Sequence, residues 1–552
     1  MLGLAAIVTY LVTALFRLTY PFPLEYLESN SLVEVQRLLT GHGLYAAPTV
    51  GYVPDGYPPL YFAVSAAAAS VLGLSYLPLR LVSLVSSLVC FAILARLVQR
   101  ETASAAAGIA AAGLLAATYF VTDTWFDVAR VDSLFLALSV AALYTARWMR
   151  RPRGAVALGL LLAAVFLTKQ NGLAEGVAVL TVLAFGRRQR LGWLAALTYA
   201  AVLSISTLAL GLTSHGWYVY YVFVLMTKQT LQHAAFAQFW TVCLLPPLGI
   251  ACCALVLGVR RTPLVLAAGG TALVVEGYAA LVHSGGAVND VLPAYLTVAM
   301  LAGLAMGGDP GGLAGWCAGR LGRSRITGGR LGRSRIAGGR LGRSRIAGGR
   351  LGRSRIAGGR PGLTGRWAGA AAAALVTAQL AVLVTGLRPG QAIPTSADRV
   401  VGQRLTSGMR ALGGTIAVPS DPGLALLAGL PTVAHQGATD DVLRASDPAL
   451  VAAFRRSAAR AVAAQRFSAI VTYSAGPPNG YPSDLMRYYR RCPQKLLSGL
   501  PQTVFEPVAG LPERPDYVWL PIGGGSCVAT VRALDGSMTA QQRRPGSSGG
   551  KA

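Results

Sequence analysis

Two glutamates, Glu25 and Glu28, follow the first apolar run of the chain and are three residues apart. Side chains at this spacing share one face of a helix. Residues Ser31 to Leu39 also alternate like a short amphipathic helix, which Gly41 would end. Carboxylates held there could act as a general base or bind a divalent ion that steadies a leaving group. Spacing alone favours the simpler interpretation, in which acids beside an apolar helix are solvated.

A second group of polar residues flanks the next apolar runs. Asp55 and Tyr57 stand just before a proline pair, and the segment TDTWFDVARVD carries Asp127, Arg130 and Asp132. Either Arg130 pairs with one of these aspartates or it contacts a phosphate or a sugar, and the sequence leaves both open. Tyrosines at this position are most often interfacial anchors.

Three further candidates lie at later apolar boundaries. Lys169, in FLTKQNG, either contacts a phosphate or extends to lipid headgroups. His215 opens an aromatic segment that would suit a sugar or an interfacial belt. Asn289 could hydrogen-bond hydroxyls, although Asn289 and Asp290 are more typical of a cap on the next helix.

The elements that carry these residues are apolar. Of the 552 residues, 53% are hydrophobic and 13% are charged, against roughly 25% charged in an average soluble domain. Apolar runs of about 20 residues, the length that crosses a bilayer, recur as far as residue 387. The first run lacks a basic leader and a clean cleavage site, which indicates a retained helix. The chain is therefore predicted to be an α-helical, multi-pass protein of the plasma membrane.

The net charge of +27 does not indicate nucleic-acid binding, because a near-perfect repeat of RLGRSRIAGG from Arg320 to Gly359, with Arg360, supplies 13 of the positive charges. Segment 307–366 has no apolar face and is predicted to be a disordered cytoplasmic loop that at most touches anionic membrane lipids. A low-complexity insertion without function is the favoured interpretation.

Short arginine-rich loops mark the cytoplasmic side. They occur at 150–153, 187–190 and 260–261, besides the repeat. Eleven spans are predicted, at about 2–19, 80–98, 103–121, 131–148, 154–168, 172–186, 191–212, 237–258, 262–282, 291–306 and 367–387. Residues 58–74 are assigned to an interfacial helix, so the N-terminus is cytoplasmic. The opposite face then receives 20–79, 122–130, 213–236, 283–290 and the chain after 388.

The C-terminal region has a different character. Residues 388–540 combine alternating runs with helical patterns and are predicted to form a small extracytoplasmic α/β domain, followed by a disordered tail at 541–552. Outside the cytoplasm, Cys492 and Cys527 could form a disulfide. The other cysteines show no metal-ligand spacing.

Several short patterns in this order resemble the GT-C membrane glycosyltransferases of the family 39 type, which includes protein O-mannosyltransferases and lipid A aminoarabinose transferases. The patterns are Glu28 with LLTGHGLY, YPPLYF, DVARVDSLFLALSVAALY, FLTKQNG and NDVLPAY, and they cover residues 1–306. This sequence departs from many members in that its acids are spaced rather than adjacent. Tyr57 also stands where others carry His or Glu.

The resemblance implies inverting transfer of a sugar from a polyprenyl-phosphate carrier to a lipid, glycan or protein hydroxyl. It implies Glu28 as the base, with Glu25 second, and Arg130 and Lys169 beside the departing phosphate. No cofactor is required, and a divalent ion at Glu28 and Asp55 stays open. A transporter or flippase of lipid-linked substrates is the alternative, although no internal symmetry of the kind common in transporters is visible.

Overall fold

The computed structural model describes residues 1–259, 262–307 and 363–536. The arginine-rich repeat, the pair at 260–261 and the tail after 536 lie outside these ranges, so the predictions made for them stay predictions. The helices of the first described part are α1 (Leu2–Leu18), α2 (Glu28–Leu39), α3 (Leu60–Leu72), α4 (Tyr76–Thr102), α5 (Ala105–Ala117), α6 (Asp132–Trp148), α7 (Pro152–Thr168), α8 (Leu173–Ala184), α9 (Gln189–Thr213), α10 (Trp217–Val219), α11 (His233–Gln238), α12 (Leu245–Gly258), α13 (Leu264–Leu281) and α14 (Leu292–Ala305). Helix α15 (Leu363–Thr385) follows the undescribed segment.

Six helical stretches of the described chain are long and apolar enough to cross a membrane. They are Tyr76–Thr102, Gln189–Thr213, His233–Gly258, Leu264–Leu281, Val288–Ala305 and Trp367–Thr385. Shorter apolar helices cover Leu2–Leu18, Leu60–Leu72, Ala105–Phe120 and Pro152–Thr168. The multi-pass helical architecture is thus present, whereas the number of eleven spans stays a prediction. Helix α3 has 13 residues and is about 20 Å long, short of the ~30 Å of hydrocarbon, as an interfacial helix would be.

Small residues allow the helices of the bundle to pack closely. A side chain at Gly113 of α5 would meet the backbone of Gly3 in α1, whose Cα would lie only 2.2 Å from the added Cβ. Such contacts let two apolar helices gain van der Waals contact where lipid supplies no hydrophobic driving force. The same device holds α14 against α5, where Gly303 faces Ala111.

The C-terminal domain, residues 388–536, is an α/β unit, as the alternating runs predicted. Its strands are β1 (Ile416–Ala417), β2 (Ala469–Thr472), β3 (Tyr489–Arg491) and β4 (Tyr517–Pro521), in the order β1-β2-β4-β3. β1 and β2 are parallel, and the other two pairings are antiparallel. The helices are α16 (Pro389–Ala392), α17 (Ser396–Leu412), α18 (Pro422–Leu427), α19 (Gln436–Arg444), α20 (Pro448–Ala463) and α21 (Cys527–Asp535). A disulfide joins Cys492, after β3, to Cys527 at the start of α21.

This domain sits on the loops that the sequence assigns to one face of the membrane. Ala509 N donates to Leu24 O at 2.9 Å, and Ala434 N donates to Val50 O at 2.9 Å. Lys228 Nζ lies 2.6 Å from a carboxylate oxygen of Asp447. The contacts join the domain to the first loop and to the 213–236 segment, so these parts of the chain share one face.

Candidate active site

A cavity of about 610 Å³ lies between the loops of the helical bundle and the C-terminal domain. We call it the interdomain cavity. From the bundle it is lined by residues of the first loop, the 123–130 segment, the turn after α7 and the end of α13 with its following loop. From the C-terminal domain it is lined by one face of α19 and by the 510–513 segment. Its polar or charged lining side chains include Asp55, Tyr57, Trp125, Arg130, Lys169, Gln170, Gln229, His283, Asn289, Asp290, Gln436, Asp440, Asp441, Arg444 and Glu513.

Glu28 does not line this cavity. Its carboxylate is fully buried and accepts Arg80 Nε at 2.9 Å and Ala129 N at 2.6 Å on Oε1. Oε2 accepts Arg80 Nη2 and Leu24 N, both at 2.6 Å. Burial alone would raise the pKa of Glu28, but the Arg80 guanidinium and these donors outweigh it and hold the pKa below its usual value. Glu28 therefore joins the first loop, α4 and the segment that carries Arg130.

Glu25 is also fully buried and also lies outside the cavity lining. One carboxylate oxygen accepts Leu27 N at 3.0 Å, and Oε1 has no hydrogen-bond partner among the described residues. A β-bridge pairs Glu25 with Ala509 of the C-terminal domain. Burial raises the pKa of Glu25 to about 8, against the opposing charge of Arg130. Glu25 thus lies within the contact between the bundle and the domain.

Asp55 lines the cavity and is 6% exposed. Oδ1 accepts Asn30 Nδ2 at 2.6 Å, whereas the buried Oδ2 has no partner within the described ranges. Glu34 Oε1 accepts a hydrogen bond from the Asp55 backbone N–H at 2.9 Å, and this bond holds the loop against α2. Burial raises the pKa of Asp55 to about 6, although Arg130 and Asn30 favour its ionised form. A carboxylate with one held oxygen and one free oxygen is suited to accept a proton.

Arg130 is the buried arginine of the same cavity. Nη2 donates to the Tyr57 hydroxyl at 3.2 Å, and the guanidinium lies 5.4 Å from the ring centroids of both Tyr57 and Trp125. Arg130 Nε and Trp125 Nε1 are buried and have no acceptor in the described part of the chain. No carboxylate of these residues lies within ion-pair distance of Arg130. Among the described residues, the buried N–H groups at this cavity that lack an acceptor thus include one cationic donor, Arg130 Nε, and one neutral donor, Trp125 Nε1.

The two aspartates near Arg130 are paired with other cations. Asp127 Oδ2 lies 3.2 Å from Arg17 Nε. Asp132 Oδ1 accepts Lys169 Nζ at 3.0 Å and Asn289 Nδ2 at 3.2 Å. Of the two accounts that the sequence left open, pairing of Arg130 with a neighbouring aspartate is not what the structure has.

Lys169 and Asn289 reach the cavity as parts of one polar cluster. Lys169 Nζ donates to Asp132 Oδ1 and, at 2.9 Å, to Asp290 Oδ1. Asp290 Oδ2 accepts Ala287 N at 3.1 Å and so caps the turn before α14, as its position predicted. With two carboxylates on one ammonium, the positive charge of Lys169 is already compensated.

His215 lies outside the cavity lining, on an exposed turn between α9 and α10. The described residues contain no group of three or more metal-binding side chains. Both oxygens of Glu28 already accept hydrogen bonds from Arg80 and from backbone N–H groups, so a divalent ion at Glu28 and Asp55, which the sequence left open, would have to displace these donors. The sequence patterns predict no role for Trp125, Gln170 or Glu513. Trp125 and Gln170 lie inside motifs that were recognised, whereas Glu513 had no local signal.

Within the described ranges, the site combines an unpaired carboxylate oxygen of Asp55 with an unpaired Nε of Arg130 in one cavity. The cavity lies beside the loops that the sequence assigns to the outer face of a multi-pass helical protein. Residues 56–218 match the model of the family described as dolichyl-phosphate-mannose-protein mannosyltransferase. The resemblance to GT-C membrane glycosyltransferases is confirmed by this match. No curated protein sequence matches the chain.

The solved structures that resemble this chain include two of ArnT from Cupriavidus metallidurans. The one bound to undecaprenyl phosphate has 15% identity, covers 81% of this chain and 88% of that chain, and gives a TM-score of 0.48. The apo form has 12% identity, covers 78% and 84%, and gives 0.49. The archaeal oligosaccharyltransferase AglB from Archaeoglobus fulgidus, with an inhibitory peptide and a dolichol-phosphate, has 10% identity, covers 84% and 69%, and gives 0.45.

Proposed function

We propose that this chain is a membrane glycosyltransferase that moves a sugar from a polyprenyl-phosphate carrier to an acceptor hydroxyl, with inversion at the anomeric carbon. The observation that carries the proposal is that the interdomain cavity contains both a hydrogen-bond acceptor and hydrogen-bond donors without partners among the described residues. Asp55 offers a free carboxylate oxygen, and Arg130 with Trp125 offers free N–H groups, all in one space. The family model supports this, since its description names a dolichyl-phosphate mannose donor.

The donor phosphate belongs beside Arg130. A phosphate oxygen accepts hydrogen bonds only, so it complements the free Nε of Arg130 and the free Nε1 of Trp125. Cleavage of the bond to the sugar leaves a second negative charge on the phosphate. A buried guanidinium placed there stabilises that charge more in the transition state than in the ground state.

Asp55 is the base that the cavity geometry favours. Its free Oδ2 would take the proton of the acceptor hydroxyl while the oxygen of that hydroxyl forms a bond to the anomeric carbon. The bond from that carbon to the phosphate oxygen breaks, and its electron pair leaves with the polyprenyl phosphate. Asn30 holds Oδ1, so the carboxylate keeps its orientation through the step.

The prediction that Glu28 is the base, with Glu25 second, competes with this assignment. Both oxygens of Glu28 are occupied by donors, and the ion pair with Arg80 opposes protonation. These contacts favour a positioning role, in which Glu28 fixes Ala129 and hence the neighbouring Arg130.

The experiment is a transfer assay with the full chain in proteoliposomes and polyprenyl-phosphate mannose as donor, followed by release of polyprenyl phosphate. We expect Asp55→Asn to lower turnover at least about 100-fold, with unchanged thermal stability. Asp484→Asn, at an exposed ion pair of the C-terminal domain, is the matched control and should retain full turnover.

Turnover of Asp55→Asn within twofold of the wild type would remove Asp55 as the base. The proposed function itself would be refuted if the wild type released no polyprenyl phosphate from polyprenyl-phosphate mannose or from other polyprenyl-phosphate sugars, whichever membrane-extract acceptor is supplied.

A further inference from the structure

The C-terminal wall of the interdomain cavity carries acids that the proposed chemistry does not use. Asp440 and Glu513 line the cavity from α19 and from the segment before β4. Neither forms an ion pair with any described residue, whereas their neighbour Asp441 is paired with Arg444 at 2.6 Å. The wall therefore presents two carboxyl groups that form no ion pair with a described cation.

Buried acceptors without a partner occur on both walls of the cavity. Glu513 Oε2 is buried without a hydrogen-bond partner among the described residues, and so are Gln170 Oε1 and Asp55 Oδ2 of the opposite wall. Asp55 is more than nine-tenths buried. Three unsatisfied acceptors around one cavity require donors from a ligand or from solvent.

Two contacts hold Asp440 in place. Its Oδ1 accepts Gln436 Nε2 at 2.8 Å and Asn479 Nδ2 at 3.0 Å. Burial and the Asp440 charge together raise the pKa of Glu513 to about 7. Both acids line the same cavity, and an anion bound beside them would bring a further negative charge to that wall.

On the 125–130 segment, by contrast, the buried polar atoms without a partner among the described residues are hydrogen-bond donors, Arg130 Nε and Trp125 Nε1. One cavity therefore has a donor-rich region on the 125–130 segment and an acceptor-rich region that includes the C-terminal domain. An anion fits the first region. A neutral group with several hydroxyls fits the second, because each hydroxyl supplies a donor.

We propose that Asp440 and Glu513 of the C-terminal domain form an acceptor subsite that selects an uncharged, hydroxyl-rich group, such as a sugar ring, and rejects an anionic one. This inference rests on the proposed function, because it concerns the substrate that meets Asp55. It makes the C-terminal domain a part of the binding site, with Glu513 as a specificity-determining residue.

The test is equilibrium binding to the full chain in nanodiscs, with two probes that differ in one charge. The probes are an alkyl glucoside and the alkyl glucuronide, which carries a carboxylate at C6. We expect the wild type to bind the neutral probe at least about tenfold more tightly, which corresponds to about 1.4 kcal/mol. Glu513→Gln should reduce that ratio to threefold or less, and Asp440→Asn should act in the same direction. Asp484→Asn, on the same domain outside the cavity, should leave it unchanged.

Equal affinity of the wild type for the two probes, binding of neither, or an unchanged ratio in Glu513→Gln would overturn the inference. Because Asp440 has structural contacts, thermal melting of both variants separates loss of the subsite from loss of folding. Binding of polyprenyl phosphate to the wild type and to Arg130→Gln is measured in parallel. If the wild type does not bind polyprenyl phosphate, the proposed function fails whatever the probe ratio.

Discussion

Replacement of Glu28 by glutamine separates a catalytic base from a structural anion. Each oxygen of Glu28 accepts two donors, and Arg80 supplies one donor to each. In the Glu28→Gln variant the amide NH₂ must face two of these donors, whichever way the side chain is turned. Arg80 is 1% exposed and loses its counter-charge. Breaking one partner of a buried pair typically costs about 3–5 kcal/mol, so we expect the free energy of unfolding to fall by that amount.

The assay is chemical denaturation in mixed micelles, followed by activity at matched folded fraction. Glu101→Gln is the control, because Glu101 pairs with Arg147 at 2.6 Å but that arginine side chain is 28% exposed. A more exposed pair contributes about 1 kcal/mol or less. We expect the folded Glu28→Gln variant to retain the acid limb of its pH profile. Its KM for the polyprenyl-phosphate sugar should rise, because Ala129 and the adjacent Arg130 are less well held.

The result that would refute this reasoning is a Glu28→Gln variant as stable as the wild type, within 1 kcal/mol, with no turnover at any pH. That combination is what a catalytic base without a structural role would give.

Two further predictions concern the cavity, and a third concerns the disulfide of the C-terminal domain. The raised pKa of Asp55, at about 6, means that the ionised base is lost as pH falls through that value; turnover should therefore drop below pH 6 and be flat above it, and a limb near pH 4 would contradict the assignment. Arg130→Gln should lower turnover about 100- to 1000-fold, with Arg130→Lys intermediate because lysine supplies charge without the Nε donor; equal activity of the two variants would argue against direct phosphate contact. Replacing Cys492 and Cys527 together by serine should lower the free energy of unfolding by about 2–4 kcal/mol; the same mobility of wild type and variant on non-reducing and reducing gels would mean that the disulfide does not form.

The sequence was sufficient to predict the architecture because the signals are local. Apolar length and helix-breaking residues give the helices, and the alternating runs around Ile416 and Ala469 give strands that do pair. The prediction that one face receives the first loop, the later outer segments and the C-terminal domain depends only on counting spans between arginine-rich turns. These parts are in contact in the structure.

The roles of individual charges could not be read in the same way, because each is decided by a partner that is remote in sequence. Lys169 appeared to be a lone ammonium, yet its partners are Asp132 and Asp290, 37 and 121 residues away. Glu28 looked like the exposed acid of a short helix, yet its partner Arg80 lies near the start of the apolar helix α4, 52 residues later. An arginine at the start of an apolar helix requires an anion, and that requirement was the available signal.

Two independent physical arguments support the proposed orientation of the site. Helix α6 begins at Asp132 beside the cavity and runs for 17 residues, about 25 Å, to the arginine-rich turn at 150–153. Such turns mark the cytoplasmic side, which supports our proposal that the cavity lies on the other side. A disulfide in the C-terminal domain agrees, because disulfides persist in oxidising compartments. Gly43 is exposed, and a side chain there would meet no atom within 4 Å. A cysteine at that position, in a variant with Cys253 and Cys317 replaced by serine, should react with an impermeant maleimide on intact cells; labelling only after lysis would reverse the orientation.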